Sequence, residues 1–379
     1  MRENTVAQLK RAASAEAIET ELQRQLAVYS QHSTAYGAHF AELWEITSEC
    51  ILGGKLIRPR LLIGAFDALA NSQAETPPVS RDAVIRIAAA TELLHYSFLL
   101  HDDVIDGDLF RRGRPNLIGT LLQVRRPEPL CASDAVLAQD EAGEQRGPLH
   151  WARTSGILMG DLLLSATHQI FAREALPEEI RIRLLDILDH TITESVVGEH
   201  LDVGLSDGLV PADLDTVLNM SRLKTATYTF ELPLRAALVL AGASARAEMV
   251  VGMVGRHLGI AFQLQDDLLS TFGDATEHGK DMFSDLREGK ETVIIAYARM
   301  SEAWPSIEPY HGRANLTEED GVFARKLLIE CGAEGFIRSL IDEQIRTCIE
   351  FLAQPDHQLP VEVIRYIEDL VASLEERRS

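Results

Sequence analysis

Between Ala88 and Pro115 the chain reads AAATELLHYSFLLHDDVIDGDLFRRGRP, and the residues best suited to chemistry lie there. Asp102 and Asp106 are i and i+4, so on a helix they project from one side, together with His95, Phe98 and Leu99. A core helix gains nothing from unpaired acids, because uncompensated buried charge is costly. Two carboxylates one turn apart, with Asp103 beside them, offer hard oxygens to Mg²⁺. Arg111, Arg112 and Arg114 follow directly, and clustered guanidinium groups suit phosphate oxygens. The pattern points to a phosphorylated substrate carried by Mg²⁺. Two other readings stand beside it. One is a solvated helix end whose acids and arginines neutralise each other. The other is a metal phosphohydrolase with a His101-Asp102 dyad and His95 as a further ligand.

A second acidic cluster lies far along the chain. Gly252 to Thr271 reads as an apolar helix stopped at Gly273-Asp274, and Gln263, Asp266, Asp267 and Ser270 share one side of it at i, i+3, i+4 and i+7. Lys280, Asp281, Asp285, Arg287, Glu288 and Lys290 follow, acids interleaved with bases. Two apolar helices thus each end in an aspartate pair. In a helical bundle, carboxylates on facing helices build a metal site in the core. Between the clusters, Lys224 is followed by Thr225, Ala226 and Thr227. Hydroxyl residues in a helix bond back to the preceding turn and bend it, which leaves a carbonyl exposed. A free carbonyl, a hydroxyl and a lysine would matter next to a developing positive charge; a surface lysine with packed threonines is the other reading. Finally, Gly53-Gly54-Lys55-Leu56-Ile57-Arg58-Pro59 combines backbone freedom with two cations, but lacks the spacing of a Walker-type phosphate loop.

The elements that must position these residues read as helices. The chain has 379 residues, 46% hydrophobic and 6% aromatic, which allows a large core. No strand-like alternation is visible, so the class is all-α. Residues 1–45 read as an amphipathic helix with Leu9, Ile18, Leu22 and Leu26 on its stripe. Another helix follows Pro59 to about Ala70, and Ser80 is the natural cap of the next. Residues 123–149 are polar and turn-rich and read as a surface insertion. One helix is expected from Pro177 to about His190 and another from Thr191 to near Gly204. EAWPSIEPYHGRANLTEED reads as a loop, and apolar helices resume to the end. The domain reading is a single all-α unit over 1–379.

Lys and Arg total 36 against 58 acids, a net charge of −22, which argues against nucleic acid and against an anionic membrane surface as partners. No apolar run is read as long enough to span a membrane, so no stable insertion is expected. Four scattered cysteines (Cys50, Cys131, Cys331, Cys348) without metal spacing fit a reducing compartment, and a cytoplasmic protein is expected.

Taken in order, GGKLIRP, LLHYSFLLHDDVIDGDLFRRGRP, GDLLLS, KTATY, FQLQDDLLSTFGD and GKDMFSDLREGKET resemble the motifs of the trans-prenyltransferases, the isoprenoid (polyprenyl) diphosphate synthases, over roughly residues 45 to 300. The resemblance implies a large bundle of antiparallel helices around a central cavity, a homodimer, and the joining of an allylic prenyl diphosphate to isopentenyl diphosphate. It implies Mg²⁺, up to three ions, held by Asp102 and Asp106 with Asp103 in support, and by Asp266 with Asp267 behind it. Arg111, Lys224 and Lys280 would hold the allylic diphosphate, and Lys55, Arg58, His95 and Arg112 isopentenyl diphosphate. Thr225 and Gln263 would face the reacting carbon. Ser270 departs from the pattern, standing where many members carry a third aspartate, with Asp274 a candidate to compensate. Phe98, one turn below Asp102, would block a growing chain early, so a short C15–C20 product is expected, geranylgeranyl diphosphate favoured. A longer-chain synthase, a non-catalytic subunit of a heteromeric synthase and a terpene cyclase are the alternatives within this resemblance.

Overall fold

The computed structural model of the chain describes residues 2–72, 76–111, 113–124, 146–273 and 283–376. Helices dominate them, as the apolar periodicity predicts, and they group into two compact units: residues 1–64 with 77–185, and residues 65–76 with 186–379.

In the first unit, α1 (Arg2–Ser33) and α2 (Ala38–Ile51) replace the single helix expected over 1–45. Gly37, at φ +99°, turns the chain between them where other residues would be strained. The helix α3 (Ile57–Ser72) begins in this unit, just after Leu56 in a left-handed conformation at φ +52°. The centre is α4 (Arg81–Ile105), whose first turn is capped as expected: Ser80 Oγ accepts from the Ala83 N–H at 3.2 Å. By length and composition this helix is apolar enough to cross a membrane, contrary to the expectation that no apolar run is so long. The structure shows why such a helix arises here. It is buried nearly all round, 72% of its apolar stretch lying inside the protein, so no polar face is needed. Leu93 and Leu100 pack with Leu22 and Leu26 of α1 and with Trp44 of α2, each worth roughly 1.5–3 kcal/mol of apolar burial.

After α4 the chain departs from an all-helical reading for a few residues. Gly107 (φ +73°) ends the helix, and a minimal antiparallel hairpin follows, β1 (Phe110–Arg111) with β2 (Arg114–Pro115), turning at Gly113. Strands this short carry no alternation to read. Asn116 ties the segment down. Its side chain accepts from the Gly119 N–H to cap α5 (Leu117–Gln123) and donates to the Asp108 carbonyl at 2.8 Å. Then α6 (Arg146–Arg173) packs along α4. Most of the expected insertion, residues 125–145, lies outside the described residues.

The helix α7 (Glu178–Ser206) is continuous, where two helices were expected on either side of His190; Thr191 Oγ donates to the Ile187 carbonyl at 2.7 Å without breaking it. In the second unit, α8 (Leu214–Ser221) runs into a π-helical segment, Arg222–Glu231, and then α9 (Leu232–Leu240). Where a bend with an exposed carbonyl is expected from the hydroxyl residues, the chain forms a wider helix. Pro233 accounts for part of it: proline has no N–H for the carbonyl four residues back and its ring crowds that carbonyl, and the Leu232 N–H instead reaches Thr227 O, five residues back.

Packed on the π segment is α10 (Ala245–Phe272), which stops at Gly273 as expected but starts seven residues before the expected Gly252, capped by Ser244. There follow α11 (Ser284–Glu288), α12 (Val293–Arg299), the short α13 (Trp304–Ile307) within the expected loop, α14 (Glu318–Glu330), α15 (Ala333–Ala353) and α16 (Val361–Glu376). Ile337, Ile341, Ile345, Cys348 and Leu352 form the buried stripe of α15, which packs against α10.

Candidate active site

The first acidic motif occupies the last turn of α4. Asp102 and Asp106 are half-buried, whereas Asp103 is buried. One carboxylate oxygen of Asp102 and one of Asp106 lie within 4.8 Å of each other. That is close to the span of two oxygens on a single small divalent cation, at about 2.1 Å from each. The donors are hard oxygens one turn apart, so the pair fits such an ion. Asp103 turns the other way, towards Arg111. The Arg111 guanidinium donates from Nε to Asp103 Oδ1 at 2.9 Å and from Nη2 to Asp102 Oδ2 at 3.0 Å. Burial pushes Asp103 up to about 6, although Arg111 pulls in the opposite direction. Burial also opposes the charge on Arg111, but Asp103 and Asp102 outweigh it and hold the guanidinium more firmly protonated than usual. The mutual neutralisation of acids and arginines is therefore present at Arg111, in the same geometry that places the guanidinium beside the acidic pair Asp102 and Asp106.

Elsewhere in this unit, Gly54 approaches α4 closely, since a Cβ there would stand 3.0 Å from Glu92 Oε1. Lys55 is exposed and Arg58 buried. The two cations thus occupy different environments, Lys55 before the start of α3 and Arg58 in its first turn. His95 is buried on α4. Phe98 is half-buried, while Ser97 is fully buried with its hydroxyl donating to Leu94 O. The phosphohydrolase reading needed His101 on Asp102; its imidazole Nε2 instead lies 3.2 Å from Asp161 Oδ1 on α6. Arg112 and Lys280, with the candidate compensator Asp274, lie outside the described residues.

The second unit holds the remaining groups. The π segment is pressed backbone to backbone between two helices. A Cβ on Gly198 of α7 would stand 2.2 Å from the Lys224 nitrogen, and one on Gly259 of α10 would stand 2.4 Å from the Ala226 Cβ. From α7, Glu194 accepts hydrogen bonds from Thr227 Oγ at 2.7 Å and from Arg222 at 3.2 Å. Burial alone would raise Glu194, but these two donors bring it below the usual carboxylate range. Lys224 donates to Asp202 at 2.6 Å and pairs with Glu199 at 3.0 Å, so its ammonium is held at the end of two acids. Thr225 is half-buried.

On α10, Gln263 and Asp266 are half-buried, and Asp267 and Ser270 are buried behind them. Gln263 Nε2 donates to Asp267 Oδ1 at 2.8 Å. Ser270 Oγ makes a short hydrogen bond to the Asp285 carboxylate of α11. An acid from further along the chain therefore stands at the position where the expected third aspartate is missing. Sequence reasoning also passed over Glu194, Glu199 and Asp202. The available signal was three acids at i, i+5 and i+8 around Gly198 in the stretch TESVVGEHLDVG.

The Polyprenyl synthetase family profile matches residues 41–306. Geranylfarnesyl diphosphate synthase from Aeropyrum pernix is 30% identical over 290 residues, which span 76% of this chain and 79% of that protein. Geranylgeranyl diphosphate synthase from Methanosarcina mazei is 28% identical over 289 residues, 76% of each chain. Among solved structures, geranylgeranyl pyrophosphate synthase from Corynebacterium glutamicum, complexed with isoprenyl diphosphate and magnesium, aligns with a TM-score of 0.82 at 28% identity, covering 96% of this chain and 99% of that one.

Proposed function

The chain belongs to the polyprenyl synthetase family, and we propose that it is a Mg²⁺-dependent trans-prenyltransferase joining isopentenyl diphosphate to an allylic prenyl diphosphate to give a C15–C20 product, geranylgeranyl diphosphate favoured. The observation that carries this reading is the last turn of α4, where two carboxylates suited to one divalent cation stand beside a guanidinium suited to phosphate.

Asp102 and Asp106, and on α10 Asp266 with Asp267 behind it, would hold Mg²⁺, which when bound offsets the negative charge building on the diphosphate leaving group. Arg111 and Lys224, with Lys280, bind the allylic diphosphate; Lys55, Arg58 and His95, with Arg112, bind isopentenyl diphosphate. Arg111 and Lys224 already sit against carboxylates, which fixes their positions before substrate arrives. As the allylic carbon–oxygen bond breaks, positive charge spreads over the allyl group. The Thr225 hydroxyl, the Lys224 carbonyl and the Gln263 amide oxygen present acceptor dipoles to it. The isopentenyl double bond then forms the new carbon–carbon bond, and the proton lost in restoring a double bond goes to the departing pyrophosphate. Phe98 stops the growing chain.

The exposed apolar side chains of Trp151 and Leu158, i and i+7 on α6, support a homodimer burying that face. The free thiols of Cys50, Cys331 and Cys348 among the described residues support a cytoplasmic location.

One incubation tests the reading: purified protein, Mg²⁺, isopentenyl diphosphate and in turn a C5, C10 or C15 allylic diphosphate. Elongated diphosphate is expected. A cyclised hydrocarbon, free phosphate without isopentenyl diphosphate, or no product would each point to an alternative and overturn it, and a product beyond C20 would overturn the assigned chain length.

A further inference from the structure

The motif Gly160-Asp161 plays no part in the chemistry above, yet it lies against the metal-binding end of α4. We propose that His101 is a positioning residue for Asp102 and Asp106, seated in the notch at Gly160 and held there by Asp161. The inference rests on the reading of that acidic pair as a Mg²⁺ site.

A helix end frays because its last carbonyls lack intrahelical partners. The ligand pair of α4 sits on that last turn, and its two carboxylates repel each other until a cation joins them. The turn therefore needs restraint from outside the helix. Around the axis His101 lies 100° to one side of Asp102, and Asp103 lies 100° to the other. On the Asp103 side the restraint is Arg111. On the His101 side it is α6.

Two glycines one turn apart on α6 make that contact close. A Cβ on Gly156 would stand 2.9 Å from Val104 Cγ2, and one on Gly160 would stand 2.6 to 2.9 Å from three atoms of the His101 ring. The imidazole thus lies flat on the α6 backbone at Gly160, in a space any other residue would fill. From there Nε2 reaches Asp161 Oδ1 at 3.2 Å, the next residue along. Gly160 sets how deep the ring sits, and Asp161 sets its rotation. With Asp103 bonded on one side and His101 on the other, Asp102 and Asp106 are presented between two anchored neighbours.

The test is a calorimetric titration of Mg²⁺ alone into the full chain, without turnover, alongside thermal melting. His101→Ala and Asp161→Leu are each expected to weaken Mg²⁺ binding about five- to tenfold, the scale of one typical lost hydrogen bond. The double variant should be no weaker than either single one, because the two act as a unit. His101→Gln, whose amide nitrogen reaches the Nε2 position, should restore affinity to within about twofold of the parent. If His101→Ala does not fold, Asp161→Leu carries the same test, since the Asp161 side chain is 64% exposed. Mg²⁺ affinity left unchanged by the variants, or losses that multiply in the double variant, would overturn the role of His101 alone. No Mg²⁺ uptake by the unaltered chain would overturn the metal reading and this inference with it.

Discussion

Asp267 accepts a hydrogen bond from the Gln263 amide nitrogen, one turn earlier on α10, at 2.8 Å. That bond fixes the amide orientation and leaves its oxygen as the acceptor that the proposed mechanism turns to substrate. Gln263→Leu should lower kcat about a hundredfold, the scale of losing one preorganised dipole. Asp267→Leu should lower kcat by releasing the same amide, and the double variant should be little worse than Gln263→Leu. Steady-state kinetics with both substrates varied decides it, and fully multiplicative losses would show that the two act separately.

Asp103 gives a pH signature. It titrates at about 6 in the folded chain and near the ordinary value of about 3.9 when unfolded. The folded state therefore holds this proton more tightly. The stabilisation is complete below about pH 4 and is lost as pH rises through about 6, on the order of 3 kcal/mol for this one group. Melting curves of the metal-free parent and of Asp103→Asn, compared from pH 4 to 7.5, should show the parent losing ground across that window and a constant difference above it. A constant difference throughout would mean that Asp103 does not titrate there.

Gly198 is where α7 meets the π segment at backbone contact. Gly198→Ala puts a methyl into the Lys224 backbone and should destabilise the protein by about 1–3 kcal/mol. It should also reduce kcat, since Lys224 and Thr225 move with that backbone. Gly335→Ala, with nothing within 4 Å of the new methyl, is the control and should leave both melting temperature and kcat close to the parent.

Phe98 is half-buried one turn before Asp102, while Ser97 is turned into the packed side and hydrogen-bonded to Leu94 O. Phe98→Ala should lengthen the product by at least one isoprene unit, measured by chromatography of the dephosphorylated alcohols. An unchanged product distribution would remove Phe98 from the ruler role.

Much of this was legible in the residues because the signals are local. Ser80 as a cap, the stop at Gly107, the stop at Gly273 and the side-sharing of Gln263 and Asp266 follow from helical spacing and from single capping groups. What escaped depends on the partner across a packed face. The acids Glu194, Glu199 and Asp202 acquire meaning only once Arg222 and Lys224 are seen to answer them. Asp285 beside Ser270 comes from the far side of a loop. The continuity of α7 past Thr191, and the break at Gly37, were decided by packing and by one glycine rather than by propensity. The membrane-like hydropathy of α4 is the signature of a helix surrounded by its own protein.

The wide turn at Arg222–Glu231 also bears on how this enzyme can change. Deleting one residue there would let the chain relax into an ordinary α-helix with tighter bonding, a simple local gain in stability. It would equally shift the side chains within the segment against α7, and part Thr227 from Glu194. For this segment, the route to a sturdier fold and the route to an inactive one are the same.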